Sequence, residues 1–582
     1  MRKTIATACL SGLFLLGVLC GVACAKKATP LSTPENVSVS SRVLTWDEVD
    51  HASGYILFIN GKEYEVSENR FELYSFTTAG DFNAKVMAIG DEKAYEDSSW
   101  ASISFSLGAP IEHGYDESGL EYTFLADEYG YEVSRGKVNL EGEVVIPDYF
   151  EDFPVVRLAK GAFSDYHELL NDYNVVGGAP LPAPNPYTGF LCNVTTTSLK
   201  LPSRLRSIGH DSLAYMLKIE EFVIPETVTE FDYGSFQACL NLKRVNIPEG
   251  VTIIPDSCFR ETGLEELVLP NKLERIASGA FRNPTRPSKG YHAESTLTSV
   301  VIPDSVKTIG ESAFGGRENL RNVTMSKNIE FIGKGAFEDT AWFSEQPDGF
   351  IYFRNNELLY TYKGEIPEHT ELIIPSFVKI ISSYAFYHQE NLEKVFIPDG
   401  VKMQSSAFSY CRSLKEVRLP ADLEEIPNNA FSYTDLQSIT IPEKVTKIGA
   451  SAFLRCKNLK EVVLNEKLEN IGEGAFSQCS SLTAITLPSS LQRIGASVFQ
   501  QCAFTSIIIP SSVKTIGSLA FYSCDSLKEI IFEKVDGWTG TCASSSLDEL
   551  PYIQLLPEEL SSPTLAVELL TQTYRIYTLT NS

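Results

Sequence analysis

Two stretches of nearly the same sequence, KIGASAFLRCKNLKEVVL at 447–464 and NIGEGAFSQCSSLTAITL at 470–487, lie 23 residues apart. The phenylalanine that they share recurs along the chain in steps of 22 or 23 residues, with two longer steps of 33 and 49. It stands at Phe236, Phe259, Phe281, Phe314, Phe337, Phe386, Phe408, Phe431, Phe453, Phe476, Phe499 and Phe521. Repetition at a fixed period predicts a solenoid, in which each coil stacks only on its neighbours.

Each repeat has a strand pattern followed by a turn pattern. In Leu459-x-x-Val462-x-Leu464 the apolar residues are spaced as the inward residues of a short strand are. The next residue is often proline, which has no N–H to donate to a ladder and therefore ends the strand. A second apolar pair follows, and the segment from Ala475 to Cys479 is predicted to form a single helical turn.

The glycine of the repeat, Gly472 in the second quoted copy, is predicted to provide room rather than a special backbone conformation. Its equivalents in other repeats include Pro255 and Pro427. Proline fixes φ near −65°, so a left-handed backbone is not required at this position. The residue before the repeat phenylalanine is also small in most copies, which indicates close packing between coils.

The pattern L-x-x-[VI]-x-[IL]-P with I-G-x-x-A-F-x-x-C resembles the BspA-like class of bacterial leucine-rich repeats over residues 145–532. The stretch EGEVVIPDYFEDFPVVRLAKGAF at 141–163 looks like the usual opening unit of that class. The resemblance implies a curved, extracellular, mostly β solenoid that serves surface attachment and protein recognition. We predict a solenoid over 118–535 with insertions at 167–196, 283–295 and 338–364, where 349–364 forms a budding hairpin, and a C-terminal cap over 536–582.

Residues 35–108 have a different pattern. The segment VLTWDEVDHASGYILFINGKEYEV alternates apolar and polar residues around a turn, which predicts a β-sandwich. This part resembles a fibronectin type III domain: Trp46 stands where that family has its core tryptophan, and Gly54-Tyr55 opens the next strand. Phe82 stands where the family more often has tyrosine. The resemblance implies a spacer, so the fold class is a mostly β chain with a fibronectin-like sandwich before a solenoid of 22–23-residue BspA-type repeats.

The first 25 residues indicate an export signal, because positive charge at Arg2 and Lys3 precedes an apolar run. The small Ala23 before Cys24 resembles a bacterial lipobox, which predicts lipidation at Cys24. Ordinary cleavage and secretion is the alternative. Residues 26–34 are interpreted as a short linker, and no later stretch has the roughly 18 uninterrupted apolar residues of a membrane helix. The predicted location is the cell surface or the medium, with membrane contact only through the lipid.

The formal net charge of −26 disfavours nucleic acid and anionic lipid as partners, because both repel a negative surface. No catalytic, cofactor or metal motif stands out, so we predict no enzyme activity, no cofactor and no metal. His210, Asp211 and Ser212 are adjacent, and adjacent residues do not easily point at one another as a triad must. Six cysteines stand three residues after a repeat phenylalanine and are interpreted as a buried column of thiols: Cys239, Cys411, Cys456, Cys479, Cys502 and Cys524.

The outward residue between the last two inward residues of each strand defines a candidate ligand-binding face, which we call the strand column. Its members are Val301, Thr324, Phe396, Arg418, Thr440, Val463, Thr486 and Ile508. Exposed aliphatic and aromatic side chains in a line suit protein binding, although branched residues also suit any strand. We therefore expect a non-enzymatic surface protein that binds an extracellular protein or glycoprotein, with the oligomeric state open.

Two other functions stay open at this stage. A surface protein that captures glycans for polysaccharide use needs exposed aromatic residues, and Trp342, Phe350 and Tyr352 in the third insertion are the candidates. A structural component of a surface layer needs no ligand site at all.

Overall fold

The computed structural model describes residues 28–91, 93–136, 141–164, 196–283, 293–294, 296–542, 553–555, 557–573 and 577–581. Its chain forms two compact units. The first contains the described residues up to Glu112 together with Phe124–Gly130 and Glu151–Pro154, and the second contains the remainder. The predicted signal, Cys24, and all but the last residue of the predicted insertion 167–196 lie outside the described residues, and most of the insertion 283–295 does too.

The first unit contains two antiparallel sheets of three and four strands, together with a small parallel pair. Residues of both larger sheets, among them Leu44, Leu57 and Val86, share one apolar core with Trp46. The strands are Thr29–Pro30, Ser38–Ser40, Val43–Thr45, Gly54–Ile59, Lys62–Val66, Arg70–Glu72, Gly80–Ile89, Tyr95–Glu96 and Ala101–Leu107.

The predicted linker over 26–34 is wrong from Thr29 onward. Thr29 and Pro30 pair in parallel with Tyr95 and Glu96, and Leu31 is buried in the core of the first unit. The Thr/Pro-rich composition suggested a tether, but Leu31 and Pro34 are buried.

The second unit is a mostly β solenoid of about 16 coils, each about 23 residues long, with small antiparallel sheets near its N-terminus. Most coils contribute to two rows of short parallel strands. Row A contains the strand predicted from the alternating pattern. Its strands are Gly142–Val145, Thr196–Lys200, Glu221–Phe222, Arg244–Val245, Ser299–Val301, Asn322–Thr324, Thr370–Ile373, Leu392–Phe396, Glu416–Arg418, Ser438–Thr440, Glu461–Val463, Ser506–Ile509 and Glu529–Phe532.

Row B is built from the second apolar pair of each repeat. Its strands are Gly130–Ser134, Phe153–Leu158, Ser207–Ile208, Glu230–Phe231, Ile253–Ile254, Arg275–Ile276, Thr308–Ile309, Phe331–Ile332, Leu358–Lys363, Ile380–Ile381, Lys402–Met403, Glu425–Ile426, Lys447–Ile448, Asn470–Ile471, Arg493–Ile494 and Thr515–Ile516. Three further strands, His113–Tyr115, Glu121–Leu125 and Tyr149–Phe150, flank the N-terminal end of this row.

Between the rows, the repeat phenylalanines form a buried stack along the solenoid axis. Phe453 and Phe476, for example, have ring centroids 5.2 Å apart and planes 7° apart, and most neighbouring pairs are similar. Both rings are fully buried, and the apolar residues of rows A and B pack around them. Because burial of a phenylalanine contributes roughly 1.5–3 kcal/mol, the stack is a main source of cohesion between coils.

The third side of each coil consists of turns, so the predicted helical turn is wrong. In most coils the residues two positions before and two positions after the repeat phenylalanine have left-handed backbones, as at Gly474 (φ 60°) and Gln478 (φ 61°) around Phe476. These residues direct N–H and C=O groups along the axis, where Phe476 N–H donates to Val498 O of the next coil at 3.0 Å. A helix would keep those bonds within the coil.

Gly472 has the role predicted for it. A Cβ atom built there would lie 2.7 Å from the backbone nitrogen of Ala450 and 2.8 Å from the carbonyl carbon of Gly449, both in the preceding coil. The backbone of Gly472 is also not left-handed. The glycine therefore allows close approach of two backbones.

The third insertion contains a short helix, Ala341–Ser344, and a hairpin of Gly349–Phe353 and Leu358–Lys363. The predicted budding of this hairpin is wrong, because its second strand is part of row B: Leu358 and Leu359 pair in parallel with Ile380 and Ile381. Leu358 and Leu359 are fully buried, so the hairpin replaces half of a coil.

A C-terminal cap covers the end of the solenoid. Its elements are Trp538–Cys542, Ile553–Gln554, the helices Pro557–Ser561 and Pro563–Glu568, a π-helical turn Leu569–Thr573, and Tyr577–Asn581. The last strand pairs antiparallel with Thr515–Ile516, which closes the edge of row B. Ser562 is the N-cap residue of the second helix, Leu569 and Leu570 are buried, and Leu565 is exposed.

Candidate binding surface

The strand column lies on the outer side of row A. Val301, Val463 and Ile508 keep 62%, 45% and 51% of their surface exposed, although neighbouring residues of the same strands are buried. Thr324, Arg418, Thr440 and Thr486 are also exposed, and Phe396 is half-buried. The outward phase follows from the two-residue period of a strand, because Val395 and Ile397 on either side of Phe396 face the core.

Phe396 and Arg418 are paired across adjacent coils of row A. The guanidinium carbon of Arg418 lies 4.6 Å from the ring centroid of Phe396, within the range of a cation–π interaction. Residues two positions earlier, Lys394 and Glu416, form an exposed ion pair at 3.0 Å. This part of row A therefore presents an aromatic ring, a guanidinium group and flanking charges to solvent.

The sequence analysis missed Ile373, which belongs to the same column. It lies one coil before Phe396, with which it pairs across row A, and 62% of its surface is exposed. Its signal was the alternation in TELIIP, but the insertion before it breaks the 22–23-residue spacing by which the column was traced.

Toward the N-terminal end, the same side of row A contains an open depression of about 320 Å³, lined by Glu221, Phe222, Val223, Arg244, Val245, Asn246, Glu266 and Val268. Arg244 and Glu221 form an exposed ion pair at 3.4 Å on its wall. Asn246 has a structural role, because its amide accepts from Ile224 N–H and donates to Ile224 O, both at 2.7 Å. The apolar members, Val223 and Val268, stay exposed.

The alternative residues in the third insertion pack against each other and the core. Trp342 stacks on Phe353 at 5.6 Å and contacts Phe337 edge-on at 5.3 Å. Phe350 and Tyr352 are partly buried against the solenoid core. These rings continue the buried aromatic stack where the repeat phenylalanine is absent, and they leave only part of their surface for a ligand.

The six repeat cysteines are buried, as predicted. They also do more than fill space: each thiol donates to the main-chain oxygen of the residue at the repeat-phenylalanine position one coil earlier, at 2.9–3.2 Å. Burial raises the pKa of Cys411 and Cys456 to about 12, so both thiols are neutral at physiological pH. Neutral, buried thiols are poor nucleophiles.

Other chemistry has little geometric support. Ser212 is fully buried, and His210 pairs with Asp211 at 3.1 Å, so the three adjacent residues do not form an accessible triad. Among the described residues, no group of three or more His, Cys, Asp and Glu side chains is placed to hold a metal ion. The described part of the chain also contains no helix with the length and apolar character needed to cross a membrane.

The fold and surface define a parallel β solenoid with exposed strand residues on one side. Its sequence matches the model of the BspA type leucine rich repeat region over residues 189–288, 285–346, 364–460 and 446–550. These ranges cover more than half of the chain, which therefore belongs to the BspA-type leucine-rich repeat family.

Several solved structures are similar to this chain. A leucine rich cell surface protein from Faecalibacterium prausnitzii A2-165 is 22% identical, with 64% of this chain and 94% of that chain covered and a TM-score of 0.33. A leucine-rich repeat protein from Eubacterium ventriosum is 20% identical, with coverage of 68% and 96% and a TM-score of 0.35. One from Bacteroides ovatus is 20% identical, with coverage of 72% and 94% and a TM-score of 0.26. A comparison with curated proteins found no match.

Proposed function

We propose that this chain is a non-enzymatic bacterial cell-surface protein that recognises an extracellular protein or glycoprotein through the strand column. The observation that carries the proposal is the repeated exposure of large aliphatic residues at the outward position of row A, as at Val301 and Ile373. Exposed aliphatic residues recur along the column, with threonines and Arg418 between them, and exposed apolar residues lined up in solvent favour protein contacts.

The Phe396–Arg418 pair gives this surface a centre. Aromatic and arginine side chains are enriched among the residues that dominate binding energy, because each covers a large area and arginine also offers several hydrogen-bond donors. Ile373 extends the apolar contact on one side of the pair, and the exposed Lys394–Glu416 ion pair forms a polar rim. A polar rim around an apolar centre is the usual organisation of a protein interface.

The remaining parts of the proposal concern presentation. A lipid on Cys24 would hold the protein at the membrane, and the first unit would act as a fibronectin type III-like spacer. Its two antiparallel sheets and the buried Trp46 support that interpretation. The surface location is supported by the F. prausnitzii relative, which is described as a cell surface protein.

The experiment is a binding screen of the chain without residues 1–25 on protein and glycan arrays, with matched variants. Specific protein ligands that are lost with Phe396→Ser/Arg418→Ser support the proposal. The row B double variant Lys447→Ser/Glu425→Ser, which breaks an exposed ion pair at 2.7 Å, is the control and should bind normally. Retained binding in the first variant, with loss in Trp342→Ala, would instead place the site in the insertion.

A further inference from the structure

A second exposed surface lies on the turn side of the solenoid, away from the strand column. His388, Tyr410 and Tyr433 stand two residues after the repeat phenylalanine in three successive coils. The His388 and Tyr410 rings are stacked with centroids 5.5 Å apart, and the Tyr410 and Tyr433 rings are stacked at 4.2 Å. Tyr387 extends this set at 5.4 Å from Tyr410. We call these four side chains the tyrosine ladder.

The fold does not require aromatic residues at these positions. The backbone is left-handed there, with φ 66° at His388, 63° at Tyr410 and 60° at Tyr433. Bulky residues are uncommon in this conformation, and the equivalent residues two and three coils after Tyr433, Gln478 and Gln501, have the same backbone without a ring. An unfavoured residue type that recurs in successive coils of an exposed surface points to a function of its side chain.

Cations are placed along the ladder. The ammonium group of Lys334 lies 3.8 Å from the ring centroid of Tyr387, and the guanidinium carbon of Arg455 lies 5.2 Å from that of Tyr433. Arg412 lies 5.9 Å from the Tyr410 centroid.

The acidic groups nearby do not cancel this basic character. Glu390 pairs with His388 at 3.4 Å and with Arg412 at 3.6 Å, and Asp435 accepts from Asn458. Lys457 adds one more exposed cation beside Arg455, so Lys334, Arg412, Arg455 and Lys457 outnumber the two carboxylates. This strip is therefore basic on a chain whose formal net charge is −26.

The geometry of the rings restricts the ligand. Because the rings cover each other's faces, a sugar ring or an apolar side chain cannot stack on them in the usual way. The ring edges, which have positive potential, and the tyrosine hydroxyl groups remain for a ligand. The Tyr410 hydroxyl donates to Tyr433, which is the main cause of the raised pKa of Tyr410, so the hydroxyl of Tyr433 is the donor that this pair leaves for a ligand. Ring edges, hydroxyl donors and cations all favour oxyanions.

We propose that the tyrosine ladder, with Arg412 and Arg455, binds an acidic polysaccharide that lies along the solenoid axis. Successive coils repeat the donors at roughly the 4.8 Å spacing of neighbouring strands, which suits a linear polymer with regularly spaced carboxylates. A folded protein partner would need an apolar centre, which the strand column offers and this strip does not. Local charge complementarity strengthens the attraction despite the overall negative charge.

The test uses the full chain and a panel of polymers: polygalacturonate and hyaluronate as polycarboxylates, and dextran as the neutral control. We expect both polycarboxylates to bind, with affinity at least about fivefold weaker when NaCl is raised from roughly 50 to 300 mM, because salt screens exposed charges. Dextran should not bind. Polycarboxylates that bind no better than dextran overturn the proposal.

Variants locate the site and separate it from the strand column. Tyr410→Ala/Tyr433→Ala should weaken polygalacturonate binding at least about tenfold, and Arg455→Gln about fivefold. Tyr410→Phe/Tyr433→Phe keeps the stack and should still weaken binding, which covers the case in which the alanine variant fails to fold. Gln501→Ala is the matched control at the same position of the repeat, because Gln501 is exposed and has the same left-handed backbone.

The outcomes are distinct. Polygalacturonate binding that is unchanged in the phenylalanine variant and in Arg455→Gln overturns the proposal. So does loss of binding in Phe396→Ser/Arg418→Ser, which would assign the polymer to the strand column. If the ladder variants lose only a protein ligand, the surface is a protein interface and the polysaccharide proposal is wrong.

Discussion

Arg317 provides a sharp test of how the coils are held together. It stands three residues after Phe314, where several other coils have a cysteine, and its side chain is fully buried. The guanidinium donates to Phe281 O and Thr262 O, each at 2.6 Å, and more weakly to Phe259 O at 3.3 Å. Burial lowers the pKa of Arg317 to about 9, so the group is still charged at neutral pH.

Replacing Arg317 with alanine should lower the free energy of unfolding by about 3 kcal/mol. Among the described residues, Phe281 O and Thr262 O have no other donor, and each unsatisfied buried carbonyl costs roughly 1–3 kcal/mol. Phe259 O keeps the hydroxyl of Thr262 as a donor at 2.8 Å. Relief from burying a cation offsets part of the loss, and the cavity left by the side chain adds to it.

The assay is urea unfolding followed by circular dichroism and tryptophan fluorescence. Arg317→Met, which keeps the apolar stem but none of the donors, should lose nearly as much stability as the alanine variant. Arg321→Ala is the control, because Arg321 is exposed and its ion pair with Glu345 should contribute less than about 1 kcal/mol. A loss below about 1 kcal/mol in Arg317→Ala would refute the reasoning that this side chain satisfies carbonyl groups of two earlier coils.

Three further predictions concern the glycine, the thiols and the anchor. Gly472→Ala should lower the free energy of unfolding by about 2 kcal/mol, because the added Cβ would meet backbone atoms of the preceding coil. Glu473→Ala, at the neighbouring position, is the control and should change the free energy of unfolding little. Equal effects of the two substitutions would contradict the close approach of the backbones. The buried thiols of Cys411 and Cys456 have a pKa of about 12 in the folded protein, well above that of an unfolded cysteine. Their contribution to the free energy of unfolding is therefore fully present below about pH 8.5 and is lost as the pH rises toward 12, since the thiols then ionise in the unfolded chain but not in the folded one. Between pH 9 and 11, the free energy of unfolding in urea should therefore fall less steeply with pH in the Cys411→Ala/Cys456→Ala variant than in the wild type. The two slopes should differ by about 3 kcal/mol per pH unit, and equal slopes would contradict burial of the thiols. Cys24→Ala should abolish metabolic labelling with an alkynyl fatty acid, and retained label would show that the lipid is elsewhere.

The regular part of the solenoid could be predicted from the sequence because its cause is local and repeated. The alternation Leu459-x-x-Val462-x-Leu464 determines which side of a strand is buried, and the recurring phenylalanine gives the length of the coil. The outward phase of Val463 and Phe396 followed from the same alternation. The role of Gly472 in giving room to a neighbouring backbone could be inferred from the sequence. Prolines at equivalent positions show that a left-handed backbone is not required there, so the small size of glycine is the reason for its presence.

The rest depends on contacts between coils, which the sequence period does not reveal. The left-handed turn positions hold residues such as Ser451 and Arg455 rather than glycine, so composition suggested a helix. Arg317 in the core satisfies carbonyl groups of two other coils, and no local pattern indicates this. Ile373 was missed because an insertion interrupts the spacing, and the stacking of Tyr410 on Tyr433 depends on the register of adjacent turns.

Binding through the strand column is tested most directly by measuring the affinity of the Phe396→Ser/Arg418→Ser variant for the protein ligands found on the array, together with its melting temperature. Both side chains face outward, so the melting temperature should stay within a few degrees of the wild-type value. The free energy of binding should weaken by at least ~2 kcal/mol, because the pair combines the two residue types that most often dominate interfaces. Unchanged affinity with an unchanged melting temperature would contradict the proposed binding face.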